Sequence, residues 1–278
     1  MKLIADSGST KTEWILIDSK IKTFNTIGLN PVFVDEKIVY ETVLNSDISR
    51  YKDKISEVHF FGAGCASNKR KAIISSGLSQ VFINAKISVD SDLLGAGIAM
   101  FGNDEGIIAI LGTGSNTGLY SNKKIIRNIS SLGYILGDEG SGAVIGKTFI
   151  KAFLNKELPK NIEEKFNNEF NLKLDDIIQK VYKEAFPNRF LASFMPFVHA
   201  NKSDDFVQNL LLDCFIDFFE KTILKYEAYQ NRKIKIIGSV AHFFSNEIKI
   251  AAKKLNIEIV DIAKSPSDGL VHFYKTNK

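Results

Sequence analysis

The chain has 278 residues, 45% hydrophobic and 24% charged, with 36 Lys+Arg against 32 Asp+Glu and a net charge of +4. This balance suits a soluble globular protein with a sizeable core, as one large domain or two moderate ones, and excludes a globally disordered chain. The basic residues are scattered, and the densest spots (Lys69-Arg70-Lys71, Lys123-Lys124, Lys253-Lys254) read as solvated faces, so no nucleic-acid partner is expected.

The N-terminal part alternates strands and helices. A short apolar strand over 3–5 ends in the turn Asp6-Ser7-Gly8-Ser9, and strands over 13–18 and 22–27 follow, implying two antiparallel hairpins. Helical spacing runs over 35–44, a buried strand over 58–61, a helix near 68–78 and a strand over 86–89. A helix rich in small residues (Gly95, Ala96, Gly97, Ala99) starts near Ser91. The pattern then restarts. The apolar strand 106–111 ends in Gly112-Thr113-Gly114-Ser115, with strands at about 116–120 and 125–129 behind it. Such a repeat of architecture, without repeat of residues, implies two related α/β domains facing one another.

From Gly142 to about Asn231 the chain is mostly helical. Phe149, Phe153, Phe166 and Phe170, and likewise Leu210, Leu211, Cys214 and Phe218, recur at helical spacing and are expected in the core. A buried strand over 233–237 leads into Gly238-Ser239-Val240-Ala241 and a helix. A strand is expected over 257–262 and a last helix from Ser267, with Ser267 or Asp268 as its N-cap. The predicted boundaries are an N-terminal domain 1–109 and a C-terminal domain 110–278 carrying a helical insertion over about 143–230. The final helix, about 267–278, is expected to pack back on the first domain.

Cys65 and Cys214 form no CxxC pair or metal-ligand spacing and read as two reduced thiols. The four histidines are dispersed and read as structural, and Trp14 as core. The chain opens directly on a strand and its longest apolar runs are too short to span a bilayer, so a cytoplasmic location without signal peptide or membrane contact is expected.

Two Gly-rich turns at strand ends suit phosphate oxygens. In Asp6-Ser7-Gly8-Ser9-Thr10-Lys11-Thr12, backbone N–H groups and hydroxyls point one way, and Asp6 is suited to Mg²⁺ through a bound water. In Gly112-Thr113-Gly114-Ser115-Asn116 the glycines let backbone approach a ligand closely. One such turn in each half would clamp a nucleotide between two domains. Gly238-Ser239, opening a helix, suits the adenosine end.

In this order the three segments resemble the phosphate-1, phosphate-2 and adenosine motifs of the actin/hexokinase/Hsp70 superfamily. Gly28-Leu29-Asn30-Pro31, Phe61-Gly62-Ala63-Gly64, Asp92-Leu93-Leu94-Gly95-Ala96 and Gly137-Asp138-Glu139-Gly140-Ser141 further resemble its N-acetylglucosamine kinase and BadF/BadG-type ATPase branch. The resemblance implies two ribonuclease H-like (actin-like ATPase) α/β domains around a central nucleotide cleft. It also implies ATP and Mg²⁺ as cofactors and an amino-hexose as substrate, with N-acetylglucosamine and its 6-phosphate as best candidates; a homodimer is allowed but not required. Gly8, Ser9, Thr10, Lys11, Thr12, Gly112, Thr113, Gly114 and Ser115 would then surround the phosphates. Gly238 and Ser239 would meet adenosine, and Asn30, Thr113, Asp138 and Glu139 the sugar. Asp92, just before the small-residue helix, matches the catalytic aspartate, with Asp90 as rival. The competing function is a BadF/BadG-type reductase activator or an ATP-binding regulatory module. An activator's iron–sulfur cluster needs paired cysteines, and Cys65 has no second cysteine near it in sequence.

Overall fold

The computed structural model describes residues 1–276, and the last two positions of the expected C-terminal helix lie outside them. The chain forms two compact units. Unit 1 comprises Met1–Asp104, Tyr120–Ile125 and the segment from Ser265, and unit 2 comprises Glu105–Leu119 and Ile126–Lys264.

Unit 1 opens with β1 (Lys2–Ser7), β2 (Lys11–Ile17) and β3 (Ile21–Ile27), followed by α1 (Glu36–Leu44), β4 (Glu57–Gly62), α2 (Asn68–Val81), β5 (Lys86–Ser91) and α3 (Asp92–Phe101). The sheet order is β3-β2-β1-β4-β5. The first three strands pair antiparallel, while β1, β4 and β5 are parallel. Register places Glu13, Asp6, Phe61 and Asp90 in one row across β2, β1, β4 and β5. One core joins Leu3, Trp14, Leu16, Val39, Phe60 and Leu78, and Trp14 is fully buried with its indole N–H donating to Thr26 Oγ1 (2.9 Å). Burial of these large side chains supplies about 1.5–3 kcal/mol each before entropy is counted.

Unit 2 repeats the plan with β6 (Gly106–Leu111) and with β7 (Ser115–Ser121) and β8 (Lys124–Ile129), the tip of whose hairpin, Tyr120–Ile125, counts with unit 1. The helical region contains α4 (Gly133–Leu136), α5 (Gly142–Leu154), α6 (Lys160–Phe170), α7 (Leu174–Tyr182), α8 (Pro187–Ala192), α9 (Met195–Ala200) and α10 (Asp205–Lys221). After it come β9 (Ile234–Ile237), α11 (Ser239–Phe243), α12 (Ser245–Lys254) and β10 (Asp261–Ala263). The sheet order is β8-β7-β6-β9-β10, the same as in unit 1 when β6 is matched to β1. The expected aromatic core is present. Phe149 meets Phe166 at 5.3 Å between centroids, Phe153 meets Phe166 at 4.7 Å, and Phe218 is fully buried.

Two expectations need correction. The strand expected over 257–262 is short and late, because Ile257 turns back to bond its N–H to Ala252 O (2.9 Å) and sinks into the core. The final helix, α13 (Ser267–Thr276), begins at Ser267 itself, so Ser267 and Asp268 stand inside its first turn rather than before it, and the Ser267 hydroxyl donates to the Glu13 carboxylate. α13 packs on α3 and on β1 and β2, inside unit 1. Among the described residues no helix is long and apolar enough to cross a membrane.

Candidate active site

The β1–β2 turn is built on a buried hydroxyl pair. Ser7 Oγ and Thr12 Oγ1 lie 2.7 Å apart, Thr12 donates to Ile27 O (3.0 Å), and both oxygens accept the Leu29 N–H (3.0 and 3.2 Å). The Gly8 N–H closes the turn on Lys11 O (3.0 Å). The Thr12 hydroxyl is thus engaged in the frame of the turn, and the Gly8 amide is likewise spent on it. The exposed surface is Gly8, Thr10 and Lys11, with Ser9 half-buried.

Asp6 ends β1 beneath this turn. Burial, then the nearby Asp92 and Glu13 carboxylates, push its pKa up to about 7 against a small opposing effect of Lys11. Glu13 escaped the sequence reading, although its place opposite Asp6 in a two-strand register is the signal that would have found it. Asp92 is the first residue of α3. Ser91 caps the helix by accepting the Leu94 N–H (3.2 Å), so capping is not the work of Asp92. The Asp92 Oδ1 accepts the Leu93 N–H (2.8 Å), and burial raises its pKa to about 6. Asp90, the rival, sits on β5 with Oδ1 2.5 Å from Lys71 Nζ, and that ion pair occupies its carboxylate.

Asn30 is buried, its Oδ1 accepting the Val32 N–H (3.0 Å) and its Nδ2 donating to Ser9 Oγ (3.4 Å). The amide thus ties the Asn-Pro turn to the phosphate turn and retains a second N–H donor.

In unit 2 the β6–β7 turn docks on the start of α5. The Gly142 N–H bonds Gly112 O (2.8 Å), and the Ala143 N–H bonds Thr113 O (3.1 Å). The Gly112 amide is itself spent on Gly114 O (2.9 Å). A Cβ on Gly114 would come within 2.9 Å of Asp138 Oδ2, so the carboxylate lies directly against this turn. Asp138 holds a left-handed φ of 58°, rare for a residue with a side chain and common at functional sites. Its carboxylate accepts the Ser131 hydroxyl (2.6 Å) and the backbone N–H groups of Gly133 and Ser115, while burial, the largest effect, raises its pKa. Ser131 is a partner that nothing in the sequence singled out. Ser115 has its side chain buried and its N–H on Asp138, so its contribution is to the frame. Glu139 faces Lys221 at 3.8 Å, and Ser141 caps α5, so neither acidic residue caps that helix. Gly238 packs against the end of β6, while Ser239 is exposed.

Each unit thus gathers its own set. Unit 1 holds the β1–β2 turn, Asp6, Asp92 and Asn30; unit 2 holds the β6–β7 turn, Asp138 and Gly238. Because its folded pKa of about 7 exceeds its ordinary 3.8, Asp6 favours the folded state at low pH, and that contribution is lost as pH rises through 7. Without nucleotide or metal, Asp6→Asn should therefore raise Tm by a few degrees at pH 8, with the gain vanishing near pH 4. A variant that melts lower than the parent at pH 8 would contradict the crowded-carboxylate account.

No family model matches the chain. A curated N-acetylmuramic acid/N-acetylglucosamine kinase of Clostridium acetobutylicum is 28% identical over 253 residues, covering 82% of this chain and 81% of the relative. A solved candidate N-acetylglucosamine kinase from Porphyromonas gingivalis is 38% identical, covers 100% of this chain and 99% of its own, and superposes with a TM-score of 0.94. The fold alone is shared with a ROK family glucokinase from Streptomyces griseus solved with glucose and AMPPNP (16% identity, TM-score 0.57, covering 99% of this chain and 98% of that one). With identity of this level over its whole length and both sheets in place, the chain belongs to the N-acetylglucosamine kinase family of the actin/hexokinase/Hsp70 superfamily.

Proposed function

We propose that the chain is an amino-sugar kinase that transfers the γ-phosphoryl group of ATP to the 6-hydroxyl of N-acetylglucosamine. The observation that carries this reading is the contrast between two neighbouring carboxylates. Asp90 is neutralised by Lys71, whereas Asp92 is half-buried, bonded to backbone N–H at a helix start, and held near pKa 6. A carboxylate so placed is ionised at neutral pH yet basic enough to accept the proton of an attacking hydroxyl.

The residues divide the work. Asp92 takes the proton from the sugar oxygen and orients it for attack. Ser9, Thr10 and Lys11 in unit 1, and Thr113 and Gly114 in unit 2, donate to phosphate oxygens; Gly8, Thr12, Gly112 and Ser115 hold those turns in shape. Asn30 and Asp138 bind sugar hydroxyls, with Thr113 between the two roles; Glu139, turned to Lys221, is a weaker sugar ligand. Gly238 and Ser239 meet adenosine. Mg²⁺, when bound with the nucleotide, would neutralise charge on the transferring phosphate. Asp6 would hold it through water. The fit is supported by a half-buried carboxylate crowded by Asp92 and Glu13. Such a donor set suits an ion that keeps its waters and takes most of its ligands from phosphate. The reductase-activator alternative is not favoured, since Cys65 and Cys214 are both buried and lie in different units.

A coupled ADP-release assay across glucosamine, N-acetylglucosamine, N-acetylmuramic acid and related sugars tests the reading, and sugar-independent turnover would reject it. Asn30→Ala and Asp138→Ala should each raise the sugar KM by about tenfold or more, the effect of losing a buried hydrogen-bonding group, while the ATP KM changes far less. Equal rises for both substrates would assign the two residues to the frame alone.

A further inference from the structure

Unit 1 contains a cavity of about 470 Å³ away from the phosphate turn. Its walls come from the sheet face of β1, β4 and β5, from α3, from α13 and from the β7–β8 turn. Phe61, Phe273, Tyr274 and His59 line part of it. Tyr274 stacks on His59 with centroids 4.2 Å apart, and Phe273 and Phe61 adjoin it. The polar groups are mostly balanced. Glu57 faces Lys2 (3.6 Å) and His59 (3.2 Å), Asp90 faces Lys71 (2.5 Å), and Ser88 Oγ bonds His59 Nδ1 (2.9 Å).

Lys123 is the exception. It lines the cavity with Nζ over the Phe273 ring at 5.1 Å, and it makes no ion pair among the described residues. Asn122 and Lys123 form the β7–β8 turn with φ of 50° and 60°, a hairpin conformation whose second position usually takes glycine. The turn therefore presents a cation where local preference favours no side chain.

Aromatic side chains for apolar contact with a pyranose, fixed polar groups for hydroxyls and one unneutralised cation match a sugar carrying one anionic group. The volume suits a ligand of that size. We infer that this cavity is a second, regulatory site for a hexosamine phosphate, the product class of the reaction proposed above, on which the identity of the ligand rests. Leu94 and Ile98 of α3 line the cavity, and α3 begins at Asp92, so occupancy bears on the helix that carries the base. Product would then inhibit non-competitively as well as by refilling the sugar site.

The test is calorimetric titration with N-acetylglucosamine 6-phosphate while saturating N-acetylglucosamine and a non-hydrolysable ATP analogue fill the active site. Inorganic phosphate and N-acetylglucosamine serve as separate probes. One further site should appear, with affinity at least about tenfold above that for phosphate. Lys123→Glu should weaken it by about tenfold or more and remove non-competitive inhibition, with kcat and KM at zero product unchanged. Lys124→Glu, at the next residue and outside the cavity wall, should change neither. No binding with the active site filled, equal binding of inorganic phosphate, or an equal loss in Lys124→Glu would overturn the inference. Absence of turnover with every amino sugar would instead reject the kinase reading, and the titration would still decide whether the cavity binds.

Discussion

Replacing Asp92 by Asn is expected to lower kcat by roughly two to four decades, the usual contribution of a positioned general base, while leaving folding and both substrate affinities close to the parent. Asn keeps the size of the side chain and can still accept the Leu93 N–H that now bonds Asp92 Oδ1 at 2.8 Å. It loses only the capacity to take a proton. The helix start survives because Ser91 is the cap. The paired control is Asp90→Asn. That change breaks an ion pair with Lys71 whose two side chains are 35% and 32% exposed, so it should cost at most about 1 kcal/mol and little turnover. Single-turnover measurement at saturating ATP and sugar separates the two. Collapse of turnover in Asp90→Asn with Asp92→Asn active would show that the wrong carboxylate has been given the role. If neither variant loses rate, general-base catalysis by this segment is excluded.

Gly238→Ala is expected to destabilise the protein by about 3 kcal/mol or more, since an L side chain is strained in this backbone conformation and also clashes here. Gly238 sits at φ 127°, ψ 169°, a region essentially closed to other residues, and a Cβ there would lie 2.2 Å from Leu111 O. That carbonyl cannot yield as a flexible side chain would. It ends β6 and leads straight into Gly112, so relief of the clash must move the phosphate-2 turn. A Tm lower by roughly 5 °C or more should therefore come with a raised ATP KM in the fraction that folds. A stable Gly238→Ala protein with normal ATP kinetics would show that the close approach of β9 to β6 is not required.

Much of the fold was legible because period-2 and period-3.6 patterns report which face is buried. Both halves of the repeat, the Phe-rich helices and the core place of Trp14 follow from that spacing. The strand over 257–262 was misread because an apolar run serves equally to dock the exit of α12, and alternation alone cannot separate the two uses. At the site, the turns could be found from glycine and hydroxyl content. Their internal division could not. Thr12 and Ser115 look alike as ligands in sequence, yet both are buried, with the Thr12 hydroxyl bonded within its own turn and the Ser115 N–H on Asp138.

The residue types and their order by themselves determined that two α/β halves each carry a Gly-rich turn, with a carboxylate near Asp90 or Asp92 after a strand. Such features depend on local spacing and backbone preference, which neighbours in sequence suffice to set. Only the tertiary structure shows how the surroundings of the two carboxylates differ, because Lys71, which pairs with Asp90, lies nineteen positions away on α2. It alone also joined Asp138 to the phosphate-2 turn, placed Glu13 beside Asp6 and brought α13 back onto α3. These depend on pairs distant in sequence, and what a carboxylate does is set by the charge and burial around it once the chain has folded.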